Sequence, residues 1–208
     1  EVGGLANMLA AHMDIEDAQA RDRVARFWSA PHIARKSGFK AVDLFEAVRD
    51  GRIKALWIIS TNPVVSMPDA DRVREAIALC PFVVVQDVSA STDTTRLAHV
   101  LLPAAAWGEK DGTVTNSERR ISRQRAFLAA PGEARPDWAI VCDVARRMGF
   151  DGFDFSGPAG NEGHAQPAFP HRAFGTLQRG IATVATAAVI GEENHQRIVA
   201  FTAFVDEL

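Results

Sequence analysis

Three short polar insertions in an apolar background carry the residues that could do chemistry. They are Ser60-Thr61-Asn62-Pro63, Val83-Val84-Val85-Gln86-Asp87 and Trp107-Gly108-Glu109-Lys110-Asp111-Gly112. In the first two, a polar side chain follows directly on an apolar run. In an open parallel sheet that position is the carboxyl edge of a strand, where such folds place their ligands. Asn62 precedes Pro63, which pushes its backbone towards an extended conformation. Its amide either caps its own loop or is held out to donate and accept hydrogen bonds. Asp87 either caps the following turn or is matched to donors, because burying a bare carboxylate is costly. The Watson–Crick edge of guanine presents two adjacent N–H donors, which one planar carboxylate can accept together. Gln86 donates through its side chain or offers only its backbone. Lys110 lies between two glycines that let backbone approach a ligand, and is either a point charge suited to phosphate or a solvated surface charge. The spacing around it is not that of a phosphate-binding P-loop.

These are binding groups, and the sequence shows no reaction centre. The histidines at 12, 32, 99, 164, 171 and 195 show no i, i+4 metal spacing, and no Ser/His/Asp order or carboxylate pair stands out. Cys80 and Cys142 belong to no CxxC pair and read as buried thiols of a reducing compartment. Iron–sulfur and zinc signatures are absent from these residues. The run from Glu118 to Arg125 concentrates four arginines, either a solvated face or a wall turned towards an anionic cofactor or another domain. Asp137 reads as an ordinary helix cap.

The elements that must position these groups follow from periodicity. Ala41, Leu44, Phe45 and Val48 share a helical face that Asp50-Gly51 closes. Ala55 to Ile59 is a buried strand, and Ser66 with Asp69 starts a helix that Val73, Ala76 and Ile77 continue to Pro81. Phe82 to Val85 reads as a second fully buried strand, and Ser91 to Thr95 opens a short helix near Leu97. Val100 to Leu102 makes a third strand ended by Pro103. Asp137 opens a helix whose face is Val141, Val144, Ala145 and Met148, closed by Gly149. Strands alternating with helices predict an α/β fold: a Rossmann-like, open, mostly parallel sheet with helices on both faces. Residues 1–40 read as helix or loop broken at Pro31. Residues 157–208 form a C-terminal annex of uncertain fold, in which 181–190 is apolar and Ala-rich. With 208 residues, 47% of them apolar, the chain suffices for one well-buried domain. A net charge of -3 gives no support to a nucleic-acid surface, and no apolar run is long enough to span a bilayer. The opening at Glu1, with Gly3-Gly4 close behind, reads as a piece of a longer polypeptide.

The ordered series of motifs resembles the molybdopterin-dependent oxidoreductases, and within them the bacterial assimilatory nitrate reductase catalytic subunits. The resemblance rests on Glu1 to Met13, Ser60 to Pro63, Val83 to Asp87, Ala98 to Pro103, Trp107 to Arg120 and Pro131 to Trp138. It implies that residues 1–156 are a domain holding one guanine dinucleotide of a molybdenum bis(molybdopterin guanine dinucleotide) cofactor. Asn62, Gln86 and Asp87 would then meet the nucleotide, with Asp87 reading guanine. Lys110 and Asp137 fall in two later motifs that touch cofactor in relatives. No catalytic residue and no metal ligand is expected in this chain. The iron–sulfur cluster belongs to the intact protein only, as do the segment with the molybdenum ligand and the C-terminal β-barrel. His99 stands where relatives more often have Asp. The implied enzyme is a cytoplasmic nitrate reductase, with nitrate, an electron donor and the remaining domains of the subunit as partners, and neither nucleic acid nor membrane. The alternatives are a formate dehydrogenase-like enzyme or a non-catalytic nucleotide-binding module.

Overall fold

A computed structural model of the chain describes residues 8–9, 13–28, 33–118, 120–149, 153–155, 157, 184–188, 192–193, 196–197 and 200–204. Gly3-Gly4, Pro31, Arg119, residues 158–183, and the histidines at 12, 32, 164, 171 and 195 lie outside the described residues.

Alternation of side chains along three parallel strands fixes the core. β3 (Ala55–Ile59), β4 (Phe82–Asp87) and β5 (Val100–Pro103) lie side by side, with Leu56 opposite Val83 and Ile58 opposite Val85. All four of these side chains are at most 1% exposed. Onto this face pack α2 (Ala41–Arg49), the short α3 (Pro63–Ser66) and α4 (Ala70–Leu79), through Leu44, Phe45, Val64, Val73 and Ile77. Trp57, Ile59, Val84 and Gln86 point to the opposite face, which the N-terminus of α5 (Asp137–Arg147) reaches through Gln86. Helices thus layer one face of the sheet, and the start of α5 stands at the other.

The remaining elements extend this frame. β1 (Met8–Leu9) and β2 (Met13–Asp14) form an antiparallel pair beside α1 (Ala18–Trp28), around Leu9, Ile15, Ala20 and Val24. β6 (Gly112–Thr115) and β7 (Ile121–Gln124) form a hairpin. At the other edge, β8 (Val184–Ala188) pairs with β11 (Ala200–Phe204), which lies antiparallel to β3, giving the order β5-β4-β3-β11-β8. β9 (Glu192–Glu193) and β10 (Gln196–Arg197) pair separately. The apolar 181–190 stretch therefore contains a strand.

Several local expectations need correction. Ala41 is exposed and Ala47 takes its place on the buried face of α2. Ser66 ends α3, and α4 begins after Asp69, which adopts φ 55 and caps nothing with its side chain. Phe82 is 46% exposed, so β4 is not buried throughout, and the strand runs on through Gln86 and Asp87. Pro136, not Asp137, stands at the N-cap of α5. That helix buries Ile140, Val141, Cys142 and Ala145 and leaves Met148 exposed, because one face turns towards Phe153.

Both cysteines are free and buried. Burial pushes the Cys142 thiol up to about 11, against the lowering effect of Arg146. Burial also raises Cys80, whose Sγ donates to the Phe82 carbonyl at 3.4 Å. Below the ordinary value of 9.0 both folded and unfolded chains hold the Cys142 proton, and this thiol adds no pH dependence. Between 9.0 and about 11 the unfolded chain ionises first, so stability falls as pH rises. Urea unfolding between pH 8 and pH 11 should therefore show a steeper loss for the wild type than for Cys142→Ala. Equal slopes would contradict this assignment.

Candidate functional site

The carboxyl ends of β3 and β4 meet, because Ser60 N–H donates to the Gln86 carbonyl at 2.8 Å. Ser60 does so with φ 55, a left-handed conformation that costs a non-glycine residue energy and recurs where a turn serves a site. Asn62 follows at φ −120, ψ 76, kept from helical geometry by Pro63. Its backbone carbonyl accepts Val65 and Ser66 N–H at 3.0 Å, which starts α3. Its side chain makes no cap. Instead, Asn62 Oδ1 accepts the Thr94 hydroxyl at 2.7 Å, and Thr94 Oγ1 accepts Val64 N–H at 3.3 Å.

A second group forms around the end of β4. Gln86 is fully buried, and its Nε2 donates to Asp137 Oδ1 at 2.8 Å. Lys110 Nζ donates to the other oxygen of Asp137 at 2.7 Å, with both side chains roughly three-quarters buried. Asp137 is held there by backbone: Arg135 N–H donates to Pro103 O at 3.1 Å and Ala105 N–H to Arg135 O at 2.8 Å. As an acid in the first turn of α5, it is also favoured by the helix dipole. Gln86 Oε1 and Trp57 Nε1 share the α5 face of the sheet and, with Trp138 Nε1, are buried without a partner among the described residues.

Asp87, next along, is half-buried, and its Oδ1 accepts Ser89 N–H at 3.0 Å. It caps the following turn with one oxygen, while Oδ2 is uncommitted among the described residues. Asn62, Gln86 and Asp87 are thus gathered at adjoining strand ends, and Lys110 and Asp137 join through Gln86. Lys110 has its charge matched within the chain. Thr94 is the residue that sequence reasoning missed: it sits in a run of cap formers, and nothing local marks its bond to a partner 32 positions away.

The glycine loop serves packing first. A Cβ on Gly108 would lie 2.9 Å from the Phe127 ring, and the Gly108 carbonyl accepts both Phe127 and Leu128 N–H at 2.9 Å. The close approach expected of a ligand there is made by the chain itself. Gln124 Nε2 donates to the Trp107 carbonyl and, at 3.2 Å, to that of Lys110, fixing the loop against β7. Arg120, Arg123 and Arg125 are exposed and form no ion pair among the described residues. His99 Nδ1 accepts Val83 N–H at 3.0 Å, a structural acceptor at the entry to β5. Among the described residues no group of three or more His, Cys, Asp or Glu could hold a metal, and no helix is long and apolar enough to cross a membrane.

The described residues form an α/β fold, with polar side chains gathered at the carboxyl edge of a mostly parallel sheet. The molybdopterin oxidoreductase family model matches residues 4–147, and the chain belongs to that family. It is 60% identical over 150 residues to a nitrate reductase of Klebsiella oxytoca, covering 72% of this chain and 17% of that protein. A nitrate reductase of Shewanella frigidimarina is 54% identical over 155 residues, 74% of this chain and 16% of its own length. The alpha subunit of an F420-dependent formate dehydrogenase 2 of Methanococcus maripaludis is 38% identical over 149 residues, 72% of this chain and 21% of its own length. The chain thus spans between 16% and 21% of the length of these relatives.

Proposed function

We propose that this chain is the part of a molybdenum-dependent assimilatory nitrate reductase that holds one molybdopterin guanine dinucleotide. The single observation that carries the nitrate assignment is the 60% identity to the Klebsiella oxytoca enzyme, against 38% for the formate dehydrogenase subunit. In this reading residues 1–156 form the nucleotide-binding domain, residues 157–208 are a C-terminal tail whose strands β11 and β8 extend its sheet, and the intact enzyme reduces nitrate to nitrite in the cytoplasm. The molybdenum–pterin group supplies the oxygen-atom and electron chemistry, fed by an iron–sulfur cluster and an electron donor outside this chain.

The residues present fit a nucleotide. Asp87 offers an uncommitted carboxylate oxygen at the sheet edge for the guanine N–H donors. Asn62 offers amide donors, and on the α5 face of the sheet Gln86 Oε1 is a buried acceptor without a partner among the described residues. Lys110 and Asp137 form the wall of the crevice and set its charge. These groups bind and orient; none moves a proton or attacks a substrate.

Calorimetric titration with GDP, which carries the guanine end of the dinucleotide, tests the binding half. The expected dissociation constant lies between about 10 µM and 1 mM, with ADP weaker and Asp87→Ala abolishing the preference for GDP. Asp87→Ala should leave the unfolding free energy within about 0.5 kcal/mol of wild type, since the side chain's hydrogen bond among the described residues is the one from Ser89 N–H. Equal binding of ADP and GDP would overturn the guanine assignment. Assay of the enzyme that carries this chain should show nitrate reduction with a low-potential artificial donor; formate oxidation in its place would establish the formate dehydrogenase reading.

A further inference from the structure

We propose that Thr94 is a positioning residue that makes Asn62 a hydrogen-bond donor, so that the Asn62 amide receives an acceptor oxygen of the nucleotide. The proposal rests on the reading of Asn62 as a nucleotide contact. It adds the direction of the hydrogen bond and the residue that sets it.

Thr94 is fully buried, so its hydroxyl cannot turn to solvent. Oγ1 already accepts Val64 N–H at 3.3 Å, and its single proton needs an acceptor. Asn62 Oδ1, 2.7 Å away, is that acceptor. Reversing the amide would aim Nδ2 donors at the hydroxyl and strand its proton in a buried place. The turn that carries Thr94 is itself fixed. Thr92 N–H donates to Thr95 Oγ1 at 2.7 Å, Thr95 N–H to Thr92 Oγ1 at 3.0 Å, and Leu97 N–H to the Thr94 carbonyl at 3.0 Å. With Oδ1 pinned, the Nδ2 hydrogens of Asn62 are the free ones and make no bond among the described residues. An amide held this way discriminates: it meets a phosphate or carbonyl oxygen and rejects an N–H donor. Asn62 and Asp87 then divide the ligand between them, donor against oxygen and carboxylate against N–H.

The test is a set of variants of the whole 208-residue chain, titrated with GDP and with guanosine. Asn62→Ala, Asn62→Asp and Thr94→Val should each weaken GDP binding about tenfold, the loss of one hydrogen bond to a charged or strongly polar oxygen. Thr94→Ser, which keeps the hydroxyl, should bind within about twofold of wild type. The double variant Asn62→Ala/Thr94→Val should bind no more weakly than Asn62→Ala alone. In the free protein, the side-chain amide resonances of Asn62 should move in Thr94→Val and stay in place in Thr94→Ser. If the Val variant does not fold, Thr94→Ala replaces it. Sensitivity seen with GDP and lost with guanosine assigns the oxygen to phosphate; sensitivity kept with guanosine assigns it to the base or ribose, and either supports the proposal. Normal GDP binding by Asn62→Ala overturns the reading of Asn62 and the proposal with it. Weakened binding by Asn62→Ala together with normal binding by Thr94→Val overturns the role of Thr94 alone. Additive losses in the double variant do the same.

Discussion

Asp137→Ala should destabilise the chain by about 2–4 kcal/mol, far more than its place on a helix end suggests. One carboxylate satisfies both Gln86 Nε2 and Lys110 Nζ, at 2.8 and 2.7 Å. Removing it leaves a fully buried amide with neither its N–H nor its oxygen partnered, because Oε1 is already alone. It also leaves the Lys110 ammonium without its counter-charge; since that side chain is 26% exposed, water recovers part of the loss, and the figure stays below that of a fully buried pair. Asp137→Asn keeps an acceptor for Gln86 and should cost less than half as much. The triple change Gln86→Leu, Lys110→Met and Asp137→Leu removes every member of the chain at once and should be more stable than Asp137→Ala alone. It should not recover the affinity for GDP, which separates the group's role in folding from its role in shaping the crevice. Urea unfolding of the three variants reads this directly. An Asp137→Ala protein within about 0.5 kcal/mol of wild type would mean that solvent already satisfies Gln86 and Lys110.

Ile58→Ala is the second large effect, expected at about 2–5 kcal/mol, with Ile58→Val at about 0.5–1.5. Ile58 lies in β3, the middle strand of the five-stranded sheet, is 0% exposed, and belongs to the cluster formed by Leu44, Val73, Ile77, Val83 and Val85. Strand and helices are packed on it from both sides of the contact, so the space it vacates cannot close without moving the sheet against α2 and α4. Phe82→Ala, on the neighbouring strand, removes a larger side chain but one that is 46% exposed, and should cost less than Ile58→Ala. Urea midpoints rank the two. A smaller loss for Ile58→Ala than for Phe82→Ala would place the core elsewhere.

The parts of the fold legible in the sequence are those encoded by local period. Leu44, Phe45 and Val48 announce α2, and Val73, Ala76 and Ile77 announce α4, because burial of one helix face repeats every three to four residues. The short unbroken apolar runs 55–59 and 82–85 announce strands by their length and composition rather than by a period. Polarity misled at the end of β4. Gln86 and Asp87 read as the residues beyond a strand, yet they continue it, since backbone pairing with Leu102 and Pro103 does not depend on side-chain polarity. The hairpin of β6 and β7 was not legible, because β7 lies within the arginine-rich run 118–125, where no alternation of apolar and polar residues marks a strand. Asp137 read as a cap because a cap is a local solution, whereas its actual partner Gln86 is 51 positions away. Thr94 was hidden by the same kind of distance. The site was legible as residue types at strand ends, and its hydrogen-bond network was not, because long-range pairing leaves no period. The family resemblance read from the ordered motifs is borne out by the match over residues 4–147.

The most direct test of the account is a map of amide chemical-shift changes in the 15N-labelled chain as GDP is added. The account predicts changes concentrated at Ser60 to Val64, Gln86 to Ser89 and Thr94, with smaller ones at Lys110 and Asp137, and little change on the buried face of α2 and α4. Changes centred on Arg120, Arg123 and Arg125 instead, or a chain whose spectrum GDP leaves untouched at millimolar concentration, would contradict the claim that the carboxyl edge of β3 and β4 is a nucleotide crevice.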